Sequence, residues 1–147
     1  MRWLLLFLAL APITGWCGEL ASGQLLYVPV YSHIYIGDKE RPFNLAVTLS
    51  VRNIDPRQGL RLTRVDYFNT EGVLIRHYLS KPLELGPLGS TRYVIQEKDT
   101  EGGSGANFLV RWESASAMNP PVVESVMIGA QSGQGISFTS QAREITE

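Results

Sequence analysis

Short apolar segments separated by turn residues constrain this chain more than any other feature of its sequence. Turn residues recur at intervals of about 8 to 12 residues, which is typical of consecutive short strands. Residues 43–53, FNLAVTLSVRN, alternate apolar with polar or small side chains, as a half-buried strand does. No segment keeps a helical period over three turns. The pattern predicts an all-β fold, a two-layer antiparallel β-sandwich of about eight or nine short strands.

The phase of the alternation predicts which side chains form the core. In residues 60–69, LRLTRVDYFN, Leu60 and Leu62 share one parity, whereas Val65 and Tyr67 share the other. A β-bulge near residues 63–64 would bring all four side chains to the core side. The remaining segments, read in the same way, complete the predicted core. It comprises Leu45, Val47, Leu49, Val51, Leu62, Val65, Ile75, Ile95, Phe108, Val110, Trp112, Ile128, Ile136 and Phe138.

Residues 23–37, GQLLYVPVYSHIYIG, are rich in β-branched and aromatic side chains. Pro29 interrupts this segment, and proline has no N–H to donate to a strand ladder. The segment is therefore predicted to be either an edge strand or two short strands.

The first 17 residues resemble a secretory signal peptide. Arg2 supplies a positive charge, and the apolar block that follows ends at Pro12. This block is shorter than the roughly 20 apolar residues that a transmembrane helix needs. A cleavable signal over residues 1–17 is therefore expected.

The cleavage site defines the expected mature chain. Gly15 and Cys17 are small residues at the positions that a signal peptidase requires, which predicts a cut before Gly18. The alternative is a lipoprotein signal, in which Cys17 would be acylated. Residues 18–147 are then expected to form one β-sandwich domain with a frayed C-terminal tail, exported to the periplasm or attached to the envelope.

Charge and cysteine content exclude several classes of protein. The net charge is −1 and the basic residues are scattered, so the sequence has no stripe of positive charge that would follow a nucleic acid. Cys17 is the only cysteine, so the expected mature domain has no disulfide and depends on its apolar core. The sequence contains neither a Gly-x-Ser-x-Gly nucleophile motif nor a recognisable pair of catalytic carboxylates. We therefore expect a protein that is not an enzyme and that uses no cofactor.

The segment KDTEGGSGANFLVRWE, residues 98–113, is the first candidate site. It lacks the Gly-Lys-Ser/Thr ending of a phosphate-binding loop, and its spacing differs from an EF-hand. Its oxygen-bearing side chains are too few for a calcium cage, so no metal site is predicted. The segment is interpreted either as a mobile connection with glycines at positive φ or as a binding loop. The candidate binding residues are Asp99, Glu101, Ser104 and Asn107.

The segment SHIYIGDKERPF, residues 32–43, is the second candidate. Four consecutive charges form either a solvated hairpin tip or a recognition tip. An aromatic stripe on the preceding strand could stack on a sugar or a peptide, or could pack into the core. The charges are those of Asp38, Lys39, Glu40 and Arg41, and the stripe comprises Tyr31, His33 and Tyr35.

Three segments together resemble a known protein family. They are YVPVYSHIYIGDKERPFNLAVTLSVRNIDP, DTEGGSGANFLVRW and VESVMIGAQSGQGISF. They are similar to a family of small bacterial exported proteins catalogued only as a domain of unknown function, over Gln24 to about Arg143. The resemblance implies a periplasmic or envelope-attached domain and no established activity. A further segment, LELGPLGSTRYVIQE, resembles a corner of exported immunoglobulin-like sandwiches.

These observations favour a non-catalytic binding or assembly module of the cell envelope. It would contact a protein partner through loop tips or through an edge strand, and the strand containing Pro29 is the expected edge. The alternative is a periplasmic receptor for a sugar or a metal ion. That receptor would use the Asp99–Asn107 loop together with the stripe of Tyr31, His33 and Tyr35.

Overall fold

The computed structural model describes residues 18–146, which form two packed antiparallel sheets and a small hairpin. The predicted all-β antiparallel sandwich is confirmed. This part of the chain contains twelve strands, more than expected, because several strands are only three or four residues long. The strands are β1 Ala21–Pro29, β2 His33–Ile36, β3 Arg41–Asn44, β4 Ala46–Arg52, β5 Leu60–Phe68, β6 Leu74–His77, β7 Leu83–Leu85, β8 Ser90–Ile95, β9 Asn107–Met118, β10 Val122–Gln131, β11 Gln134–Gln141 and β12 Arg143–Ile145.

Each of the two main sheets has its own strand order. Sheet one follows the order β12-β1-β9-β5-β6, with β7 also paired to β5. Sheet two follows the order β11-β10-β4-β8. Among the described residues, strands β2 and β3 pair only with each other, and they form a hairpin in the connection from β1 to β4. Within residues 18–146, no helix has the length and apolar character that a membrane span requires.

The core lies between the inward faces of the two sheets. The alternation predicted for β4 is confirmed, because Leu45, Val47, Leu49 and Val51 are all fully buried. Trp112 of β9 is also fully buried. Ile75, Ile136 and Phe138 are only partly buried, but they pack against the core cluster.

The β-bulge predicted in β5 is also confirmed. The pairing of β5 with β9 shifts register between Leu62 and Arg64. Leu60, Leu62, Val65 and Tyr67 are consequently all buried, although their sequence positions differ in parity. The extra residue at the bulge thus keeps a strand of mixed phase facing one core.

The predicted core position of Ile128 is wrong, because its side chain is 56% exposed. In β10 the buried side chains are Val123, Ser125 and Met127, which have the opposite parity. The sequence does not reveal that these positions face the core, because the polar residue Ser125 occupies one of them. Its hydroxyl donates to the Pro29 carbonyl at 2.6 Å, and this hydrogen bond offsets the cost of removing the hydroxyl from water.

The prediction that the strand containing Pro29 lies at an edge is also wrong. Residues 23–37 form two strands, as the other interpretation of Pro29 predicted, but β1 lies between β9 and β12. The covering strand comes from the far end of the chain. Only Ala142 separates β11 from β12, so the chain passes from sheet two to sheet one and pairs beside Leu25–Tyr27. Sequence periodicity carries no information about this long-range pairing.

Candidate functional site

The glycine-rich loop, defined here as residues 98–106, is hydrogen-bonded to two other segments. The Gly102 carbonyl accepts from the Thr70 N–H at 2.9 Å and from the Thr70 hydroxyl at 3.0 Å. The Gly105 N–H donates to the same hydroxyl at 3.1 Å. The Gly103 carbonyl accepts from the Ser32 N–H at 3.0 Å and from the Ser32 hydroxyl at 2.8 Å. These bonds use the polar groups that a binding loop would present to a ligand.

Close packing explains why glycine occupies two of these positions. A Cβ atom on Gly102 would overlap the Tyr67 hydroxyl and would lie 2.9 Å from the Cβ of Ala106. Gly103 has a φ of 79°, which disfavours any other residue. Only Gly103 matches the expectation of positive φ. At Gly102 glycine is required because neighbouring side chains occupy the space of a Cβ atom.

Gly102 of the loop lies against Tyr67, which belongs to a cluster of aromatic side chains: Tyr67 and Phe108 are buried in the core, and Tyr78 and Tyr93 are partly buried against it. The ring of Phe108 lies 5.1 Å from that of Tyr67 and 5.6 Å from that of Tyr78, and Tyr78 lies 5.2 Å from Tyr93. Burial raises the pKa of Tyr67 to about 12, although the nearby Ser32 hydroxyl acts in the opposite direction. The loop therefore closes one end of the core.

The candidate ligand oxygens of the loop are not gathered at one point. The Asp99 carboxylate lies 3.6 Å from the guanidinium of Arg76 and accepts from the Glu101 N–H at 3.3 Å. The Glu101 side chain is exposed, Ser104 is half-buried, and Asn107 is the first residue of β9. In the part of the chain that the structure describes, no three His, Cys, Asp or Glu residues are placed to hold a metal ion.

The structure divides the predicted aromatic stripe. Tyr31 precedes β2 and packs edge-on against Phe138 of β11, with ring centroids 5.6 Å apart. His33 and Tyr35 contact each other on the hairpin instead, with centroids 5.2 Å apart and 3.1 Å between Nε2 and the hydroxyl. Tyr35 is 55% exposed, so within the predicted stripe it is this pair that presents an aromatic surface to solvent.

The four charges of the second candidate are exposed at the end of the β2–β3 hairpin. A turn from Gly37 to Glu40 is closed by a backbone hydrogen bond of 3.0 Å, and both residues have positive φ. Arg41 lines a depression of about 170 Å³ together with Gln131 and Ser132 of the β10–β11 turn. No residue of the glycine-rich loop lines this depression, so the two candidate segments do not enclose it together.

The opposite end of the sandwich contains a buried polar network that sequence reasoning missed. The Asp55 carboxylate accepts from the N–H groups of Arg57 at 2.9 Å, Gln58 at 3.0 Å and Asn119 at 3.1 Å. The bond from the Arg57 N–H is the largest cause that lowers the pKa of Asp55 to about 2. The neighbouring Asn53 is also buried and donates to the Gln58 carbonyl at 2.8 Å. The sequence signal for this network was the pair Asn53 and Asp55 in a turn segment, because Asn and Asp side chains often accept hydrogen bonds from turn backbone.

A further surface became visible only in the structure, namely the free edge of β11. This strand is eight residues long, contains no charged residue, and within residues 18–146 pairs only with β10. The other edges are shorter or carry charges: β8 contains Arg92, β6 contains Arg76, and β12 has three residues. Natural edge strands are usually protected by charge, proline or short length, and β11 has none of these.

Comparison with known proteins yielded two matches. Residues 23–145 match the family described as "Protein of unknown function (DUF3124)". A solved structure, described as the crystal structure of Thermotoga maritima 1070, covers 82% of this chain and 92% of its own with a TM-score of 0.49 and 11% sequence identity. No match was found among curated proteins.

Proposed function

The chain belongs to the family described as a protein of unknown function (DUF3124), and we propose that it is a non-catalytic binding or assembly module of the bacterial cell envelope. The family membership confirms the resemblance to a domain of unknown function that was inferred from the sequence. The envelope location is proposed from the signal-like residues 1–17, which lie outside the described residues.

The observation that carries this proposal is the unprotected edge of β11. Alternate N–H and C=O groups of an edge strand point away from its neighbour and are free to pair with another chain. An extended segment of a protein partner would add to sheet two beside β11 and satisfy these groups. The proposed contact is therefore edge-strand addition, at β11 and not at the strand containing Pro29.

The side chains of β11 indicate what kind of segment would fit. Ile136 and Phe138 are partly buried toward the core side, while Ser137 and Thr139 are exposed on the outward face. An added strand continues both faces of the sheet, since side chains alternate with a period of two residues. The partner segment is thus expected to alternate apolar and polar residues and to need no particular net charge.

Site-specific photo-crosslinking in the native envelope tests this mode of binding. A photoreactive residue placed at Ser137 is expected to give a discrete adduct with a protein partner, whereas one at Glu84, on another edge strand, gives none. An adduct from Glu40 at the hairpin tip, with none from Ser137, would favour contact by loop tips and would refute the edge-strand proposal.

Matched charge variants separate the edge from the rest of the sheet. For these variants the photoreactive residue is placed at Gln134. The double change Ser137→Lys and Thr139→Lys should abolish the adduct, because lysine on an edge strand opposes strand addition. The change Thr48→Lys, on the same sheet but on the internal strand β4, should leave it intact. Equal loss in both variants would show that the edge itself is not the contact.

The proposed export has its own test. The intact mass of the protein in the envelope fraction should correspond to a chain that begins at Gly18. A mass that includes Met1 would contradict export, and added diacylglycerol on Cys17 would establish the lipid-anchored form.

The alternative function, a receptor for a sugar or a metal ion, has weaker support. It would use the loop from Asp99 to Asn107, where the carbonyls of Gly102 and Gly103 already accept hydrogen bonds. Thermal stabilisation of the protein by a sugar or a divalent cation, without any crosslinked partner, would favour the receptor.

A further inference from the structure

A shallow depression of about 350 Å³ lies on the outward face of sheet two, where β4 and β8 pair. Ser50 pairs with Arg92 and Arg52 pairs with Ser90, so the two arginines are diagonal neighbours on adjacent strands. Diagonal neighbours on one face of a sheet are about 7 to 8 Å apart at Cα, which long side chains easily span. Three hydroxyl-bearing residues on the same outward face, Thr48, Ser50 and Ser90, contribute much of the remaining lining, whereas Thr91 pairs with the buried Val51 and has its side chain on the opposite face.

No carboxylate lines this depression. Among residues 18–146, Arg92 forms no ion pair, and the Nε of Arg52 donates to the Ser50 hydroxyl at 3.1 Å without a carboxylate partner. On the neighbouring strand β10, Glu124 pairs with Ser50 in register. Its carboxylate accepts from the Gln141 side chain at 2.8 Å, which directs it toward β11 and away from the arginines.

Three other depressions contain an arginine. The one at the hairpin contains Arg41 alone and, like this one, has no carboxylate in its lining, whereas the other two contain carboxylates. In one, Arg61 lies 3.4 Å from Glu113 and 4.0 Å from Glu84. The other contains Arg111 together with Glu113 and Glu144. Their positive charge is balanced within the depression, whereas the pair Arg52 and Arg92 is not.

We propose that the depression between β4 and β8 binds a phosphate-class oxyanion. Guanidinium groups recognise such anions through paired N–H donors, and the hydroxyls supply donors for the remaining oxygen atoms. A tetrahedral anion with several acceptor oxygens uses more of these donors than a carboxylate does. Both arginines are exposed, so salt screens the attraction and the affinity is expected to be in the millimolar range. This site is independent of the β11 edge.

A titration with inorganic phosphate, followed by amide NMR shifts at constant ionic strength, tests the proposal. The amides of Ser50, Ser90 and Arg92 should shift and saturate. Arg52→Gln and Arg92→Gln should each weaken binding at least about tenfold, as loss of a charge-assisted donor pair predicts. The control is Arg41→Gln, at the hairpin tip, and it should leave binding unchanged. Shifts that do not saturate, or an equal effect of the control, would overturn the proposal.

A second arm identifies where the oxyanion comes from. Vesicles that contain phosphatidylglycerol are compared with vesicles of phosphatidylcholine alone, using the wild type and the two glutamine variants. Binding to the anionic vesicles that depends on both arginines would assign the phosphate to a lipid headgroup. Saturation by free phosphate without vesicle binding would assign it to a dissolved ligand. Binding in neither arm, or binding independent of both arginines, would refute the site.

Discussion

The glycine-rich loop and the β11 edge make opposite use of their backbone polar groups. The loop has an unusual sequence, yet its carbonyls at Gly102 and Gly103 accept hydrogen bonds from Thr70 and Ser32. Strand β11 has an ordinary sequence, yet within residues 18–146 its backbone pairs on one side only. The backbone of the unusual segment is thus bonded within the fold, whereas the ordinary strand has edge groups without a neighbouring strand among the described residues.

This difference shows how to interpret glycine clusters in small β-sandwiches. Glycine is required both where a backbone needs positive φ and where two segments approach closely. In this loop the second reason holds at Gly102, because the Tyr67 hydroxyl occupies the space of a side chain. Capacity to bind is better judged from hydrogen-bonding groups that the fold leaves unused.

Gly102→Ala is expected to have the largest effect on stability. The added methyl group would overlap the Tyr67 hydroxyl, and overpacking of this kind costs about 3 kcal/mol of unfolding free energy. The control is Gly86→Ala, where the methyl group meets nothing within 4 Å, so the change should stabilise the protein slightly, by about 0.4 to 1 kcal/mol, through the unfolded state. Urea unfolding measures both variants. Equal, small effects would mean that the loop is a loose connection.

Asp55 tests whether polar groups are also hydrogen-bonded within the fold at the end of the sandwich opposite the glycine-rich loop. Its pKa falls from an ordinary value of 3.8 to about 2 in the folded protein, so folding favours the ionised form. The associated stability is present above about pH 4 and is lost as the pH falls toward about 2. Urea unfolding from about pH 6 to pH 2 should show this loss in the wild type, and Asp55→Asn should lack that component. The same pH profile in both proteins would contradict the assignment.

Thr70→Val is expected to have a smaller effect. The change removes the hydroxyl that bonds Gly102 and Gly105 but leaves the backbone bond from Thr70 in place, so about 1 to 2 kcal/mol should be lost. The matched change Thr48→Val, on an outward strand face, should stay within about 0.5 kcal/mol of the wild type. Chemical denaturation of both variants measures the difference. A neutral Thr70→Val would show that the loop does not depend on these bonds.

Much of the fold could be predicted from the sequence, because alternation is a local property. The phase of β4 and the bulge in β5 both followed from the positions of apolar residues. Ile128 was placed on the wrong face because buried Ser125 has a hydrogen-bond partner that no sequence pattern reveals. The covering of β1 by β12 was missed because it joins residues more than a hundred positions apart.

The candidate binding surfaces were harder to predict for the same reason. The candidate side-chain oxygens of the loop were identified from composition, but Thr70 and Ser32, which bond the backbone carbonyls of Gly102 and Gly103, lie far away in the sequence. The β11 edge depends on which strand has no neighbour, a property of the whole sheet. Diagonal placement of Arg52 and Arg92 likewise requires the register of β4 and β8.

The smallest effect on stability is expected at β11. Ser137→Lys with Thr139→Lys should change the free energy of unfolding by less than about 0.5 kcal/mol, because both side chains are exposed. The photo-crosslink to a partner should nevertheless disappear. Chemical denaturation of the purified variant separates the two effects. A loss of stability of several kcal/mol would mean that β11 is part of the structural core.

Native-state amide hydrogen exchange compares the loop and the edge in one measurement. The amides of Ser32 and Thr70 donate to loop carbonyls, and the amide of Gly105 donates to the Thr70 hydroxyl. All three should be protected from exchange nearly as strongly as the amides of the core strand β9. Along β11, alternate amides should exchange rapidly, because those N–H groups point away from β10 into solvent. Rapid exchange at the loop amides, together with uniform protection along β11, would contradict the account.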